Sequence, residues 1–383
     1  MAAFIILIVL FFLLPDLYIS LALMRDAAWW AHLLLWLPAV VALGLFASAR
    51  FSGFGATKMM IVTGILLCVT LPQIVLVVCS LLGKLAGAAW PHAIGIANGI
   101  GLVLGGLIAL VALYGLLFGW KTLSVNQLEL QFADLPKEFD GYKIVQLSDL
   151  HVGTHGQRTA FLKKVVYRTN AENPDLIVFT GDLVNLSAEE TAPFETVLSQ
   201  LKAKDGVLSV LGNHDYCFYG MKERPADLRQ EARKVVEAER RMGWDVLLNA
   251  NRIIRRNEAQ IAIAGVENTG KPPFPEIGDL KKAIAGIPEG IFTILLSHDP
   301  SHWRMEILPE TDIPLTLSGH THAAQVKLGR WSPAKWMYRE WGGLYSEDGQ
   351  RLFVSEGLGG SIPFRMGTRP EIVVITLKNS KTH

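Results

Sequence analysis

Four apolar runs fill the first third of this 383-residue chain and constrain its fold more than any other feature. A helix needs roughly 20 apolar residues to cross the hydrocarbon of a bilayer, and each run is close to that length or above it. The last three runs contain no Asp, Glu, Lys or Arg, and tryptophans stand near the run ends, as at a membrane interface. The sequence therefore predicts four transmembrane helices, at residues 2–24, 28–47, 59–82 and 93–118.

The N-terminus does not fit a cleaved signal peptide, because Met1-Ala2-Ala3-Phe4 has no basic side chain and three more apolar runs follow. Asp16 interrupts the first run, and an ionisable residue at that depth is a functional candidate. No basic residue lies within a turn or two of it. We therefore favour an Asp16 that is protonated or that contacts a neighbouring span. Gly101 and Gly105 have the spacing of close helix packing, although glycine is frequent in such helices anyway.

The basic residues around the spans predict an orientation. Four spans place both ends of this region on one side of the membrane. That side carries Arg50, Lys58 and Lys121, whereas the other side carries Arg25 and Lys84. The positive-inside rule then places the rest of the chain in the cytoplasm. The net charge of the whole chain is +1, so bulk charge does not point to a nucleic-acid partner.

From residue 123 onward the sequence alternates strand-like runs with helical segments, which predicts an α/β domain. Residues 158–173 carry apolar side chains at helical spacing between two of the runs, as in a β-α-β unit. We therefore divide the chain into a membrane region, residues 1–122, and an α/β domain, residues 123–383. Five short apolar runs suit buried strands: residues 143–147, 176–180, 207–211, 292–296 and 315–317.

A polar motif follows each of these five runs. Ligand sites in α/β sheets gather at the carboxyl ends of the strands, so the motifs should deliver their side chains to one place. The motifs are Asp149-Leu150-His151, Gly181-Asp182, Gly212-Asn213-His214-Asp215, Ser297-His298-Asp299 and Gly319-His320-Thr321-His322.

These motifs offer ligands for divalent metal ions. Imidazole, carboxylate and amide oxygen, without thiolate, suit Mn, Fe or Zn. Four histidines, two aspartates and one asparagine are too many ligands for one ion, whereas two ions that share a carboxylate would use them all. Two ions about 3.5–4 Å apart clamp the oxygens of a phosphoryl displacement and lower the pKa of a bound water. A single such histidine would more often be an ordinary strand-end residue, but five of the chain's ten histidines lie in these motifs.

In this order the motifs resemble those of the calcineurin-like metallophosphoesterases, over residues 141–377. The resemblance implies a four-layer α/β/β/α sandwich. It also implies that His214 faces the substrate phosphate, with Asp215 behind it to orient the ring. It implies that one ion is held by Asp149, His151 and His322, that the second is held by Asn213, His298 and His320, and that Asp182 bridges both.

Smaller details resemble the membrane-linked branch of this family, which is described as transmembrane proteins with a metallophosphoesterase domain. They are Leu-Ser-Asp-Leu-His, Leu-Leu-Ser-His-Asp-Pro and Gly-Leu-Gly. One departure is Ala323-Ala324, where that branch has small glycines, and we expect these methyl groups to narrow the approach of the backbone to substrate. Cys217 is expected to be a buried small side chain rather than a nucleophile. Arg365 and Arg369 are candidates to reach a phosphate.

A basic and aromatic segment, residues 327–341, follows the last motif. Its composition suits a membrane surface, where rings lie at headgroup level and cations meet lipid phosphates. A nucleic-acid strand or a simple packed loop would also account for it. Because apolar spans are attached, the lipid interpretation is stronger than the nucleic-acid one. The residues concerned are Lys327, Arg330, Lys335 and Arg339 with Trp331, Trp336, Tyr338 and Trp341.

We therefore predict a multi-pass membrane phosphoesterase with two divalent metal ions, whose partners are a lipid-linked phosphoester and membrane lipids, with no nucleic acid. His214 would stabilise the developing charge and protonate the leaving oxygen. The membrane-linked branch resembles enzymes that cleave UDP-2,3-diacylglucosamine in lipid A assembly, which makes that amphiphile the first specific candidate. A soluble phosphodiester such as a cyclic nucleotide is the second candidate. A membrane scaffold or sensor with a vestigial metal site is the third, and the complete ligand set disfavours it.

Overall fold

A computed structural model describes residues 2–52, 55–217, 219, 228–274 and 276–381 of the chain. The chain divides into two compact units, Met1–Gly119 and Trp120–His383. The first unit is built from apolar helices, and the second is a mixed α/β unit with two sheets.

Five α-helices make up most of the first unit. A π-helical turn, Leu66–Thr70, continues the third helix into the fourth. The helices are α1 (Ala2–Tyr18), α2 (Trp29–Ser52), α3 (Ala56–Ile65), α4 (Leu71–Gly87) and α5 (Ala93–Leu117).

Three helices in the described part of the chain are long and apolar enough to cross a membrane. They are Trp29–Ala49, Thr57–Gly87 and Ala93–Lys121, and they coincide with the second, third and fourth predicted spans. The first predicted span, residues 2–24, contains a shorter apolar helical stretch, Ile8–Leu23. Its crossing of the membrane stays a prediction.

Helices α4 and α5 pack closely through glycine. A Cβ atom at Gly101 would lie 3.0 Å from the Cβ of Cys79, and one at Gly105 would lie 3.0 Å from the carbonyl oxygen of Pro72. Both glycines are buried. The small-residue face of α5 is therefore a helix-packing surface, as its spacing predicted.

Asp16 of α1 is buried and contacts α4. The side-chain amide of Gln73 donates a hydrogen bond to Asp16 Oδ1 at 2.7 Å. The expected contact with a neighbouring helix is thus confirmed. An amide partner satisfies the carboxyl group without a second charge, which fits an apolar surrounding.

Among the described residues of the second unit, twelve strands form two six-stranded sheets. The strands are β1 (Ser124–Phe132), β2 (Lys143–Leu147), β3 (Leu176–Phe179), β4 (Val207–Ser209), β5 (Asp245–Val246), β6 (Ala250–Arg256), β7 (Ala259–Gly265), β8 (Thr293–Leu296), β9 (Leu315–Ser318), β10 (Gly343–Glu347), β11 (Gln350–Val354) and β12 (Glu371–Asn379). The first sheet has the order β1-β12-β2-β3-β4-β5, and the second has the order β10-β11-β9-β8-β7-β6. Strands β2, β3 and β4 run parallel, as do β7, β8 and β9.

The two sheets stack face to face. Successive side chains of a strand point to opposite faces, so each sheet contributes to the core between the sheets and to a second core on its other face. In β3, Val178 lies in the core between the sheets, whereas Phe179 lies in the core under the helices. In β8, Ile294 lies between the sheets and Leu295 faces the other way. Each sheet therefore has one face for its partner sheet and one face for a helical layer.

Helices cover both outer faces and complete the four-layer α/β/β/α sandwich that we expected. The first sheet carries α6 (Ala160–Ala171), α7 (Glu195–Leu198) and α8 (Leu228–Arg241). The second sheet carries α9 (Leu280–Ile284) and the π-helical segment Trp303–Ile307, which continues into α10 (Leu308–Glu310).

The sequence pattern did not reveal β5 and β10. Two residues of β5 are too few to show any periodicity. Strand β10 lies at a sheet edge, where none of its side chains is fully buried, so it lacks an apolar run. The turn Asp348-Gly349 between β10 and β11 has φ angles of +51° and +81°. An Asp-Gly pair is a strong hairpin signal, and it was the available clue to β10.

The placement of Leu315 between the sheets predicts a large loss of stability on truncation. Leu315 is fully buried, so Leu315→Ala should lower the free energy of unfolding by about 2–5 kcal/mol. Leu344 of β10 is 42% exposed, so Leu344→Ala should cost less than about 1 kcal/mol. Urea unfolding of the purified chain in detergent, followed by tryptophan fluorescence, measures both. Equal losses would contradict this packing.

Candidate metal centre

The five polar motifs meet at the carboxyl ends of five strands from both sheets. Asp149 and His151 follow β2, and Asp182 follows β3. Asn213 and His214 follow β4 at the next position in the first sheet. From the second sheet, β8 is followed by His298, and β9 is followed by His320 and His322. The structure thus brings all the predicted site residues to one edge of the sandwich.

Most of these side chains leave their strands on a left-handed backbone. The φ angles are +54° for Asp149, +45° for His151, +60° for Asp182, +74° for His320 and +46° for His322. Non-glycine residues adopt this region rarely, at a cost of roughly 1–3 kcal/mol each. The contacts that these side chains make must therefore compensate for the unfavourable backbone conformations.

Glycines in the motifs make room for the carboxylates. A Cβ atom at Gly319 would collide with the hydroxyl of Ser148 and the carboxylate of Asp149. A Cβ atom at Gly212 would collide with the carboxylate of Asp182. The glycines are therefore needed for close approach, which is one of the recurring uses of this residue.

The first cluster contains Asp149, His151, Asp182 and His322, whose ligand atoms all lie within 4.8 Å of one another. His322 Nε2 lies 2.8 Å from Asp149 Oδ1 and 3.2 Å from His151 Nε2. His151 Nε2 lies 3.5 Å from Asp182 Oδ2. The four side chains are thus close enough together to hold one metal ion.

The second cluster contains Asp182, His298 and His320, and Asn213 joins it. His298 Nε2 lies 3.2 Å from Asp182 Oδ2 and 3.2 Å from Asn213 Oδ1. His320 Nδ1 lies 2.7 Å from Asn213 Oδ1 and 3.3 Å from His298 Nε2. Asp182 therefore belongs to both clusters.

Two buried carboxylates give the site a negative charge that a nearby cation can offset. Burial alone would raise the pKa of Asp149, but His322 lowers it to about 2. Burial alone would lower the pKa of His298, but Asp182 raises it to about 10. Burial lowers the pKa of His320 to about 4. The carboxylates thus stay ionised, and without a metal ion a protonated His298 offsets their charge. A divalent metal meets the same demand, and this thiolate-free set of buried donors fits one.

Outer contacts orient the ligand histidines, as is general for metal sites. His298 Nδ1 lies 2.7 Å from the carbonyl oxygen of Thr180, so Nδ1 carries the hydrogen and Nε2 faces the cluster. His320 is turned the other way. Its Nε2 lies 2.6 Å from the hydroxyl of Tyr338, and its Nδ1 faces Asn213.

His214 lies beside the clusters rather than in them. The centroid of its ring is 4.7 Å from that of His151. Its Nδ1 lies 2.7 Å from the carbonyl oxygen of Asn185. Because a carbonyl only accepts, Nδ1 carries the hydrogen, and Nε2 is the ring nitrogen left for a substrate.

Asp215 has a different contact from the one we expected. Its carboxylate accepts hydrogen bonds from four backbone N–H groups, those of Asp182, Leu183, Val184 and Gly212. Asn185, not Asp215, orients the ring of His214. Asp215 instead joins the loop after β3 to the loop after β4, and so holds Asp182 against Asn213.

Sequence reasoning missed several residues around the site. The sequence offers Tyr338 either to a membrane surface or to a packed loop, and the structure places its hydroxyl 2.6 Å from Nε2 of the candidate ligand His320. The ring of Tyr219 lies 4.4 Å from that of His214, and that of Phe274 lies 4.7 Å from that of His320. No local pattern distinguishes these rings from ordinary core aromatics. Their proximity depends on how distant loops fold together.

Arg365 does not reach a phosphate, in contrast to our expectation. It is 1% exposed, and its guanidinium donates to the carbonyl oxygens of Glu356 and Gly359 at 2.8 and 2.6 Å. Cys217 is buried as expected, and burial raises the pKa of its thiol to about 12. Ala323 and Ala324 have φ angles of +51° and +47°, a conformation that suits glycine better.

A cleft of about 260 Å³ opens onto the clusters. Its lining includes the polar residues Asp182, His214 and His320 and also Phe274, Met337 and Tyr338. The lining is therefore divided between polar side chains of the candidate metal clusters and apolar or aromatic side chains. A ligand with a phosphate and an apolar part matches that division.

The chain is similar to several known proteins. The family described as calcineurin-like phosphoesterase matches residues 142–324. The uncharacterized metallophosphoesterase YkuE of Bacillus subtilis is 32% identical over 258 residues, which cover 64% of this chain and 82% of that protein. A transmembrane protein with metallophosphoesterase domain from Danio rerio is 31% identical over 282 residues, 72% of this chain and 62% of that protein. This chain thus spans less than two thirds of the Danio rerio protein.

A further relative carries a more specific name. The UDP-2,3-diacylglucosamine pyrophosphatase LpxG of Chlamydia trachomatis is 30% identical over 292 residues. The match covers 63% of this chain and 86% of that protein. The family match at residues 142–324 lies within the second unit.

Glycine 319 supplies a test of the site geometry. Gly319→Ala should lower the metal content of the purified protein and its phosphoesterase activity, because the new methyl group displaces Asp149. Gly342→Ala is the matched control, since the nearest atoms to its Cβ lie 3.5 Å away. Elemental analysis by mass spectrometry measures the metal. If Gly319→Ala bound as much metal as Gly342→Ala, Asp149 would not be a ligand in this position.

Proposed function

We propose that this chain is a membrane-embedded, two-metal enzyme that acts on an amphiphilic substrate. The chain belongs to the calcineurin-like metallophosphoesterases and is thus a metal-dependent hydrolase of phosphoester bonds. The observation that carries this proposal is the carboxylate of Asp182, which is shared between two sets of ligand atoms. A shared carboxylate is the arrangement that a pair of metal ions requires.

We assign the ligands in two groups. Asp149, His151 and His322 would hold one ion, Asn213, His298 and His320 would hold the other, and Asp182 would bridge them. When bound, two ions of Mn, Fe or Zn supply Lewis acidity and lower the pKa of water to a value at which hydroxide forms.

His214 would perform the proton chemistry on the substrate. Asn185 holds its Nδ1 hydrogen, so the ring exchanges protons through Nε2. A protonated Nε2 stabilises charge on the phosphate and donates its proton to the leaving oxygen. Asp215 is a positioning residue, because it holds the backbone of the Asp182 and Asn213 loops together.

The proposed substrate is lipid-linked. Three apolar helices of spanning length support a membrane location, as does the name of the Danio rerio relative. The name of LpxG supports a pyrophosphate bond in a UDP-diacylglucosamine-type molecule. We propose that residues 1–122 span the membrane several times and that residues 123–383 form the catalytic domain on the cytoplasmic side.

Product analysis tests the substrate. The purified full-length protein is incubated with Mn²⁺ and with UDP-2,3-diacylglucosamine, simpler lipid phosphoesters or cyclic nucleotides, and the products are identified by mass spectrometry. We expect UMP and the lipid monophosphate from the first substrate. Cleavage of cyclic nucleotides alone would contradict a lipid-linked substrate. Metal-loaded protein that cleaves nothing would support a scaffold or sensor instead.

The role of His214 predicts a leaving-group effect. His214→Ala should keep the metal content but lose about 10²–10⁴ in rate, the usual range for general acid–base catalysis. The loss should be smaller for nitrophenyl esters, whose leaving oxygen needs little protonation. His320→Ala is the contrasting variant, because it should lose metal as well. Full rate of His214→Ala on an alkyl ester would refute the assignment.

A further inference from the structure

An exposed apolar surface borders the cleft. We call it the lip and define it as residues 328–337. Its large apolar side chains are Leu328, Trp331, Trp336 and Met337, with exposed fractions of 59%, 37%, 78% and 67%. Elsewhere in the described part of the second unit, only Tyr167, Tyr219, Met305 and Leu344 are large, apolar and exposed. Single exposed apolar residues are ordinary, but a cluster of four indicates a binding surface.

The backbone of the lip is held firmly. Leu328 and Trp331 exchange backbone hydrogen bonds of 2.8 and 3.1 Å. The hydroxyl of Ser332 donates to the carbonyl oxygen of Ala323 at 2.5 Å and accepts from the backbone N–H of Ala334 at 3.1 Å. The exposed side chains are therefore presented by a fixed support, rather than by a segment that lacks contacts.

The lip is connected to the metal centre. Met337 lines the cleft, and the next residue, Tyr338, is buried with its hydroxyl 2.6 Å from His320 Nε2. Trp336 stands outside the cleft, directly before these two residues. The lip and the lining of the cleft are therefore adjacent through Met337 and Tyr338.

Cations flank the apolar side chains. Arg330 and Lys335 are exposed, and within the described ranges neither has an acidic partner within 4.0 Å. Just beyond the lip, Arg339 is 71% exposed and reaches Glu340 at 3.6 Å. Basic side chains next to exposed tryptophan match the headgroup region of an anionic bilayer, where phosphates and acyl chains meet.

Two geometric details favour a bilayer over a single-stranded nucleic acid. The rings of Trp331 and Trp336 meet edge to face, with an interplanar angle of 74°. Successive bases need successive open ring faces on which to stack. Two other members of the basic and aromatic segment contact the protein itself, because Lys327 pairs with Glu356 and Tyr338 is buried. The lip therefore offers an apolar edge with a few cations rather than a stacking groove.

We propose that the lip docks on the headgroup boundary of an anionic bilayer and delivers the phosphate of a lipid-linked substrate to the metal centre. This inference rests on the proposed function, because it assigns the route by which an amphiphile enters that site. Trp336 enters the acyl boundary, and Arg330 and Lys335 bind lipid phosphates on either side of it.

Substrate preference provides the first test. The full-length protein is reconstituted into bilayers with anionic lipid, and kcat/KM is measured for a lipid phosphoester and for a soluble nitrophenyl phosphodiester. The ratio of the two should fall about tenfold for Trp336→Ser, since a large apolar side chain leaves the bilayer. Arg330→Glu with Lys335→Glu should lower the ratio at least as far in anionic bilayers. An unchanged ratio would overturn the proposal.

Tyr167 supplies the matched control for this test. It is an aromatic residue on α6 that is 71% exposed, so Tyr167→Ser removes a comparable surface group outside the lip. Tyr167→Ser should leave the ratio as it is in the unaltered protein. An equal fall in Tyr167→Ser and Trp336→Ser would show a general surface effect and overturn the assignment to the lip.

Spin labelling tests docking without any activity. In a background that lacks the three native cysteines, a label is attached at Trp336→Cys or at Tyr167→Cys. In anionic bilayers the label at 336 should collide with oxygen more, and with a water-soluble nickel chelate less, than the label at 167. Equal collision rates would refute docking. Protection of the label at 336 by a single-stranded oligonucleotide instead of lipid would also overturn the proposal.

The two proposals can therefore fail separately. Protein that hydrolyses no phosphoester while its label at 336 enters the bilayer would contradict the proposed function and support docking. Protein that hydrolyses lipid substrates while the label stays in water would support the function and refute the lip.

Discussion

Both clusters of candidate metal ligands depend on the carboxylate of Asp182, which belongs to each of them. Its Oδ2 lies 3.5 Å from a nitrogen of His151, which follows a strand of the first sheet, and 3.2 Å from a nitrogen of His298, which follows a strand of the second. Its Oδ1 accepts the backbone N–H of His214 at 2.8 Å. One side chain thus determines the spacing of groups from both sheets. Each cluster takes side chains from both sheets, so the packing of the apolar core between the sheets affects the geometry of both clusters.

The site extends beyond the ligands into two supports of different kinds. Asp215 fixes the inner side, because its four backbone hydrogen bonds tie the loop after β3 to the loop after β4. Tyr338 fixes the outer side, because it joins His320 to the exposed segment that borders the cleft. The inner support, Asp215, is fully buried. The outer support connects His320 with the exposed segment beside the cleft, so the orientation of this candidate ligand depends on the position of that segment.

Much of this arrangement was predictable from the sequence, for identifiable reasons. Buried parallel strands are apolar throughout, so β2, β3, β8 and β9 were visible as runs, and the polar residue types after them identified a metal site. The contacts of Asp215, Asn185 and Tyr338 were not predictable. Asp215 bonds to backbone groups some 30 residues away, and backbone N–H groups carry no sequence signature. Arg365 was misjudged for a related reason, because a buried arginine that binds carbonyl oxygens has the same local sequence as one that binds phosphate.

The left-handed backbone at five of the ligand positions has a consequence for how metal enters and leaves. These residues adopt backbone conformations that non-glycine residues disfavour, with φ angles from +45° at His151 to +74° at His320. The strands before them are almost entirely buried, so we expect the strands to be more stable than the loops. The least stable segments of a protein open locally most often. Metal exchange would therefore proceed by brief relaxation of the ligand loops toward right-handed backbone, while amide hydrogens in the two sheets remain protected from solvent.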